Sequence, residues 1–425
     1  MKKTLSFALV LTLLCGLCAP SWAEFSPRWR EWEAAGVCLT LSNARLTTLN
    51  ASSDEALRAL QDLLSPLALT LEALPEGSAF RLSADGREIT SLRLAENEEA
   101  LSGALPWEGL RALFEDKLPA LFSALLPEEG EPDVETRGVT LKNVGRTARK
   151  TVVTAEAEAF NAALLPLREE AAEALKAATQ WLPHADELGD YLSRLTAEGT
   201  ILVKRLETAE DRVLGWQLSG RVSAGGEDVR RLTVTFGWGN GGVYLNLQAT
   251  AVRGNDSFKA TLEWAEKEGK KENTLSGSLT VKRTLNKQTY SLTDSLSLKN
   301  ALPDERVSGS VKRTLTESGV KSVWSAAVTL TLDGEAWAGS LTAKKTYAQT
   351  TVWEGSAALS LAEADEMQAT VRDTEAEAVN DLYAALLTYL AGLSEADRRV
   401  LTHTLYSDAW LNGPTVPVRP LPEMI

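Results

Sequence analysis

Alternation of apolar and polar residues with a period of two, sustained from Ile201 to Leu361, constrains this fold more than any other feature of the sequence. The stretch from Leu232 to Trp238, for example, has leucine, valine, phenylalanine and tryptophan at one set of positions and threonine and glycine at the other. Successive side chains of a strand point to opposite faces of its sheet, so the pattern predicts about ten strands with one apolar and one polar face. Short turns rich in glycine, asparagine and aspartate, such as 239–242 and 254–256, separate the strands and require neighbours to be antiparallel.

A weak repeat of roughly 30 residues supports such a meander, with one hairpin in each copy. The copies begin at Gly277, Gly309 and Gly339. Each contains a pair of basic residues: Lys282 and Arg283, Lys312 and Arg313, and Lys344 and Lys345. We interpret these pairs as groups that keep a long sheet soluble and its edges unattractive for pairing; contact with an acidic surface is the alternative.

Five other stretches have apolar residues spaced at threes and fours, which is the helical period. They cover 54–64, 107–126, 155–195, 375–390 and 395–405. We predict amphipathic helices there, lying as lids on the sheet. The predicted fold class is therefore α+β: a large curved antiparallel β-meander with amphipathic helices packed on its apolar face.

The order of these elements predicts the organisation of the chain. Residues 1–23 form a signal peptide, 24–135 an N-terminal α+β unit, and 136–410 a helical segment followed by the long meander and a C-terminal helix pair. A proline-rich tail occupies 411–425. Two related units, about 24–135 and 136–410, would explain the length of the chain.

The N-terminus has the pattern of a cleavable secretory signal. Lys2 and Lys3 precede an almost uncharged apolar run of about thirteen residues, too short to span a membrane comfortably. Small residues at 21 and 23 suit signal peptidase, so we predict cleavage after Ala23 and export to the periplasm or the extracellular space. Cys15 and Cys18 each follow a leucine, whereas lipid attachment requires a small residue there. Since no apolar run of about 18 residues lies elsewhere, we predict a soluble chain without a transmembrane anchor.

Composition disfavours several function classes. The 44 Lys and Arg residues against 58 Asp and Glu residues give a formal net charge of −14, which predicts no nucleic-acid binding. Cys38 is the one cysteine beyond the signal peptide, so no intramolecular disulfide can form. The two histidines, His184 and His403, are too far apart in sequence for a zinc-site spacing. Without a phosphate-binding loop or a catalytic signature, the chain is predicted to be no enzyme and to have no metal or cofactor.

Six tryptophans share the parity of the apolar positions in their strands. These candidate site residues are Trp216, Trp238, Trp264, Trp324, Trp337 and Trp353. We predict that they line the apolar face of the sheet. One interpretation is a core packed beneath helices, and the other is a concave apolar surface that holds a lipid or another apolar ligand. Stacking on sugars comes third, since it would place the tryptophans on the polar face.

A strand at 37–49, a helix at 54–64 and hairpins from Leu67 onward follow one another in the N-terminal part, and a similar order recurs across 139–361. This order and patterning resemble the half-barrel lipoprotein carriers of the LolA and LppX type. In those carriers an apolar concave face shelters acyl chains beneath helices. The resemblance implies an exported, soluble, non-catalytic binding or carrier protein for a lipid or another apolar ligand.

Two further hypotheses come from the residues themselves. A structural or surface-interaction envelope protein would use the face rich in serine, threonine and lysine, or the sheet edges, to contact an envelope protein or polymer. A secreted hydrolase would need carboxylates, or His184, to converge in a cleft.

Overall fold

Two units make up the part of the chain that the computed structural model describes. The described residues are 37–49, 57–58, 61–62, 64–74, 77–95, 113–127, 131–177, 190, 193–224, 227–253, 256–285, 287–301, 306–334, 336–363 and 370–372. The first unit takes those between 98 and 297, and the second takes those within 20–97 and 298–422. Strands account for nearly three quarters of the described residues.

The strands are numbered along the chain. The N-terminal strands, all in the second unit, are β1 (Val37–Leu49), β2 (Leu67–Leu74), β3 (Gly77–Ala84) and β4 (Arg87–Ala95). The strands of the first unit are β5 (Asp133–Glu135), β6 (Thr140–Leu141), β7 (Gly145–Arg146), β8 (Arg149–Glu156), β9 (Leu195–Glu207), β10 (Val213–Ala224), β11 (Glu227–Gly239), β12 (Gly242–Arg253), β13 (Asp256–Lys267) and β14 (Glu272–Leu285). The division between the units falls within β15 (Gln288–Ala301). The remaining strands of the second unit are β16 (Arg306–Glu317), β17 (Val320–Asp333), β18 (Ala336–Tyr347), β19 (Thr350–Glu363) and β20 (Thr370–Arg372).

In the first unit, β5, β8 and then β9 to β14 form an antiparallel series in which each strand pairs with the next. Tight turns make the series possible. Asn240 and Gly241, between β11 and β12, have φ values of 53° and 71°. Positive φ at both central residues belongs to the two-residue hairpin turn whose twist matches that of the flanking strands. Each new strand therefore adds its apolar side chains to the same face.

In the second unit, β16 to β19 form another antiparallel meander. The last strand of this meander pairs with β1, so that Val37 lies opposite Glu363 and Leu49 opposite Trp353. Antiparallel pairing continues from β1 through β2 and β3 to β4, and β20 adds a parallel neighbour to β4. Strands from the two ends of the described chain thus complete one sheet.

Helices contact the apolar face of the first unit. A π-helical turn, Leu113–Lys117, leads into α1 (Leu118–Ala124), and α2 (Ala157–Ala177) follows β8 directly. Phe122 of α1 and Phe160 of α2 are buried in one cluster with Val203 and Trp216 of the strands. Full burial of a large apolar side chain contributes about 1.5–3 kcal/mol, so this cluster is a main source of stability for the unit. The second unit has its own core, formed by Val307, Leu330, Trp337, Leu359 and Leu361.

The predicted α+β class is wrong, because the described chain is almost all β-sheet. In the region 155–195 the first two residues belong to β8, and α2 ends at Ala177. In the region 107–126 the described helical structure is the π-helical turn and the seven residues of α1. Spacing at threes and fours predicts a helix only where a packing surface stabilises it, since short helices are marginal by themselves. The antiparallel sheet, by contrast, was predicted correctly.

Several predictions concern residues outside the described ranges. They include the signal peptide, the helices at 375–390 and 395–405, the proline-rich tail and both histidines. Among the residues that the structure does describe, no helix combines the length and the apolar character needed to cross a membrane.

Candidate functional site

Trp216 lies at the centre of the core of the first unit and is 2% exposed. Its indole meets the ring of Phe122 edge-on, with 5.2 Å between the ring centroids. Phe236 stands opposite Trp216 on β11, and Leu245 of β12 and Trp264 of β13 continue the same row across the sheet. Protein side chains therefore occupy the apolar surface around Trp216.

Trp238 and Trp264 pack half-buried against this core. The rings of Phe236 and Trp238 are 5.4 Å apart. The indole N–H of Trp264 donates a hydrogen bond of 2.6 Å to Oε1 of Glu266. Gly277 lies opposite Trp264 on β14, and a Cβ atom there would come within 2.9 Å of the indole. The first glycine of the sequence repeat thus leaves room for a tryptophan on the neighbouring strand.

The other three candidate tryptophans belong to the second unit. Trp337 is buried in the core of that unit. Trp324 and Trp353 lie 5.7 Å apart in an edge-to-face arrangement, and Lys345 stands between them on β18. The ammonium group of Lys345 lies 4.6 Å from the centre of the Trp324 ring, and the residue is 2% exposed. The six tryptophans therefore form two groups of three, one in each unit.

A buried ionic network lies beside Trp216 and was not predicted from the sequence. The carboxylate of Glu207 accepts hydrogen bonds from the Thr151 hydroxyl at 2.6 Å and from Nε of Arg205 at 3.0 Å. Nε of Arg149 is 3.4 Å from the same carboxylate. The Arg205 guanidinium also lies 4.8 Å above the ring of Phe122. Within this network Nε of Arg149 is buried without a hydrogen-bond partner, although it lies within ion-pair distance of Glu207.

The opposite face of the first unit carries uncharged polar side chains in rows that cross the strands. We call it the polar face. In its first row each residue is paired with the next one on the adjacent strand, from β10 to β14: Ser219, Thr233, Gln248, Thr261 and Thr280. The hydroxyls of Ser219 and Thr233 are 3.2 Å apart, and those of Thr280 and Thr293 on β15 are 3.3 Å apart. In the adjacent row, Nε2 of Gln217 donates to the Thr235 hydroxyl at 3.0 Å. Cross-strand bonds therefore hold Ser219, Thr233 and Thr280 of the first row in fixed positions.

A second row on the polar face is cationic. It lies two residues further along each strand and consists of Arg221, Arg231, Lys259 and Lys282, with Thr250 between the arginines and the lysines. We call the four charged residues the cation row. All four are exposed. Glu198 stands opposite Arg221 on β9, but no ion pair joins any member of the row to a carboxylate within the described ranges.

Other cations on this face are neutralised. Nζ of Lys150 lies 3.2 Å from Oε2 of Glu135, and Lys204 bonds the other oxygen of the same carboxylate. These hydrogen bonds, first that of Lys204, lower the pKa of Glu135 below its ordinary value. Lys142 lies 3.3 Å from Glu263. The pKa of Tyr244 is raised by burial and by the charge of Glu263. The cation row differs from these groups because, among the described residues, no carboxylate forms an ion pair with any of its four members.

A hairpin covers the far end of the polar face. β6 and β7 pair with each other, and Leu141 and Val144 pack onto Leu206 and Leu214. Gly237 admits this hairpin, since a Cβ atom there would lie 2.6 Å from Leu141. The cation row lies about six residues further along the strands from Gly237, at a rise of roughly 3.3 Å per residue. Its four side chains are exposed there.

For one member of the cation row, Lys282, the alternation of side chains along its strand was enough to predict that it lies on the polar face. Lys282 and Arg283 are the basic pair of the first repeat, and adjacent strand residues must face opposite ways. The same separation occurs in the third repeat, where Lys344 bonds Glu354 and Lys345 lies between the tryptophans. No sequence signal shows that Lys259 stands opposite Lys282, because the register decides this.

The described residues contain no group of three or more His, Cys, Asp or Glu side chains arranged to hold a metal ion. Cys38 lies half-buried on β1, with its sulfur 3.9 Å from the Thr40 hydroxyl.

No protein-family model matches the sequence, and no curated protein does. Among solved structures, two of OpdK from Pseudomonas aeruginosa, one of them with vanillate, match 78% of this chain and 98% of their own at 9% identity and a TM-score of 0.19. OccAB4 from Acinetobacter baumannii matches 77% of this chain and 97% of its own at 8% identity and a TM-score of 0.16. Likenesses at these TM-scores carry no argument about a shared fold or activity.

The solved structures of OpdK include one described as that of an outer membrane protein. The prediction that this chain has no membrane anchor is withdrawn and is not carried further. The resemblance to lipoprotein carriers stays a prediction, as does cleavage after Ala23.

Proposed function

We propose that this chain is an exported, non-catalytic envelope protein that binds its partner through the polar face of the first unit. The signal pattern at residues 1–23 supports export. The observation that carries the proposal is the ordered rows of hydroxyl and amide groups that cross consecutive strands. Groups held in place by cross-strand hydrogen bonds lose little freedom on binding, which favours association with a polar surface.

The apolar face offers a weaker basis for function. Phe122 packs against Trp216 and Phe160 is buried in the same cluster, so the first unit has core packing where a carrier would need a space for acyl chains. Carriage of an apolar ligand is therefore not the function that this geometry favours. An interaction surface needs no cavity, and the rows of the polar face run regularly across consecutive strands.

The test is co-sedimentation of the purified mature chain with isolated cell envelopes. The key variant, T233V/T261V/T280V, removes three hydroxyls from the first row and keeps the β-branched shape that suits a strand. The matched control, T329V/T331V/T342V, removes three hydroxyls from β17 and β18 of the second unit. We expect the key variant to lose at least fivefold of the sedimented fraction and the control to behave as wild type. Equal sedimentation of all three proteins, with unchanged circular dichroism, would overturn the proposal.

A further inference from the structure

We propose that the cation row of the first unit binds a linear acidic polysaccharide. The inference rests on the proposed function of the polar face and names the class of its partner. It depends on the placement of Arg221, Arg231, Lys259 and Lys282 beside a row of neutral hydroxyl and amide groups on the same face.

The row places like charges directly opposite one another. Arg221 pairs with Arg231 between β10 and β11, and Lys259 pairs with Lys282 between β13 and β14. Like charges at directly opposite positions destabilise a sheet. Within the described ranges no carboxylate forms an ion pair with any of the four. The row thus keeps four exposed cationic groups close together at a cost to folding, and an anion bound there would offset their repulsion.

The dimensions suit an extended ligand. Neighbouring strands are about 4.8 Å apart, so the four intervals from β10 to β14 span roughly 19 Å. The charges come in two pairs separated by the uncharged Thr250 on β12. A narrow chain with acidic groups several ångströms apart can meet both pairs at once, and two linked contacts bind more tightly than either alone. A small anion could meet only one pair.

The negative net charge of the protein makes the cation row selective for narrow, linear anions. With a net charge of −14, most of the molecule repels anions, and attraction is confined to local cationic patches. A polyanion therefore has to follow the row, where the repulsion is locally reversed. This favours a linear, flexible chain over a broad negative surface.

The neighbouring rows favour a carbohydrate. Ser219, Thr233, Gln248 and Thr261 lie about two residues, or roughly 6.6 Å, along the strands from the cations. Hydroxyl and amide groups at that distance can bond the hydroxyls of a sugar ring whose acidic group contacts the cation row. Single-stranded nucleic acid would need aromatic side chains for base stacking, and the two rows contain none. A membrane would need apolar anchors, and on this face of β10 to β14 Val252 is the single exposed large apolar side chain among the described residues.

The test measures binding of the full mature protein to polygalacturonate at low salt, with neutral dextran, single-stranded DNA and anionic phospholipid vesicles as comparisons. The key variant is R221Q/R231Q/K259Q/K282Q. The matched control, K267Q/K270Q/K271Q/K287Q, removes the same number of charges from exposed positions at or near turns of the same unit. We expect wild type and the control to bind polygalacturonate within twofold of each other and the key variant at least tenfold more weakly. The slope of log Kd against log salt should also decrease in the key variant, because fewer counterions are released.

Several outcomes would overturn the inference. One is equal binding by the key variant and the control, because binding would then follow net charge and not the row. Tighter binding to DNA or to vesicles than to polygalacturonate would assign the row to that other partner. Loss of envelope sedimentation in the threonine variant without any effect of the key variant would preserve the proposed function and reject this partner class. Polygalacturonate binding that requires the row, in a protein that does not sediment with envelopes, would support the row and reject the envelope role.

Discussion

The first and third copies of the sequence repeat place similar basic pairs in opposite surroundings. In the first copy, Lys282 is exposed and faces another cation, Lys259, on the adjacent strand. In the third copy, Lys344 faces Glu354 and forms an ion pair of 2.9 Å, while Lys345 is buried between two tryptophans. Similar basic pairs thus have different electrostatic environments in the two copies, so the repeated motif does not determine that environment. Of these two copies, the third uses its basic pair for the stability of the fold, which is why we assign function to the first.

The largest effect should come from Lys345. Its replacement in K345E buries a carboxylate against indole faces that are themselves negative, and we expect a loss of about 3–5 kcal/mol in the free energy of unfolding. K345M keeps the apolar stem and should lose about 1–2 kcal/mol, because its cation–π contact is lost. Urea unfolding followed by circular dichroism measures both. The same reversal in the first unit, K282E, should not destabilise the protein, and a loss as large as that of K345E would contradict the comparison.

A smaller effect should follow from exchanging the facing residues. In E354K, Lys344 would face a cation, as Lys282 does, and stability should fall by roughly 0.5–1 kcal/mol. In K259E, Lys282 would face a carboxylate, as Lys344 does, and stability should rise by about 0.2–1 kcal/mol. Both changes are read from urea midpoints, with K267E as an exposed control on β13. Effects of the same sign in E354K and K259E would show that facing charges do not explain the difference between the copies.

Acidification should distinguish the neutralised lysines from the cation row. Hydrogen bonds from Lys204 and Lys150 lower the pKa of Glu135 in the folded protein below the ordinary value of 4.5. A lowered pKa means that the stabilisation is present above pH 4.5 and is lost as the pH falls through the folded-state pKa. We expect the Tm of wild type to fall more steeply between pH 5 and about pH 3 than that of E135Q. If Tm fell equally steeply with pH in wild type and E135Q, Glu135 would not be a source of the acid sensitivity.

The smallest effect concerns salt. Repulsion between Lys259 and Lys282 is exposed and is screened when the Debye length falls from about 10 Å at 0.1 M salt to roughly 3 Å at 1 M. The advantage of K259E over wild type should therefore shrink by a few tenths of a kcal/mol over that range, and the penalty in E354K should shrink likewise. The check is the difference in urea midpoints at the two salt concentrations. A gap that grows with salt would point to packing and not to charge.

The antiparallel strands were predictable because their signal is local. Leu232 to Trp238 shows the alternation by itself, and the turn at Asn240 and Gly241 shows where the strand reverses. Pairing of β1 with β19 was not predictable, since nothing in the residues around Val37 specifies a partner close to Glu363. The extent of the helices was not predictable for a related reason: a run of helical spacing becomes a helix only where a surface is available to pack it, and within 107–126 the helix α1 has seven residues.

The features of the candidate site also divide into those that the sequence predicts and those that only the folded sheet decides. Which face Trp216 or Lys282 takes follows from its own strand, since side-chain direction alternates along every extended chain. Which residue stands opposite is a property of the folded sheet, because the register is set by turns and by burial of the apolar face, and a slip of one residue would exchange the faces. Sequence patterning therefore decided the two faces of the sheets. Tertiary structure alone decided that Lys282 meets a lysine and Lys344 a glutamate.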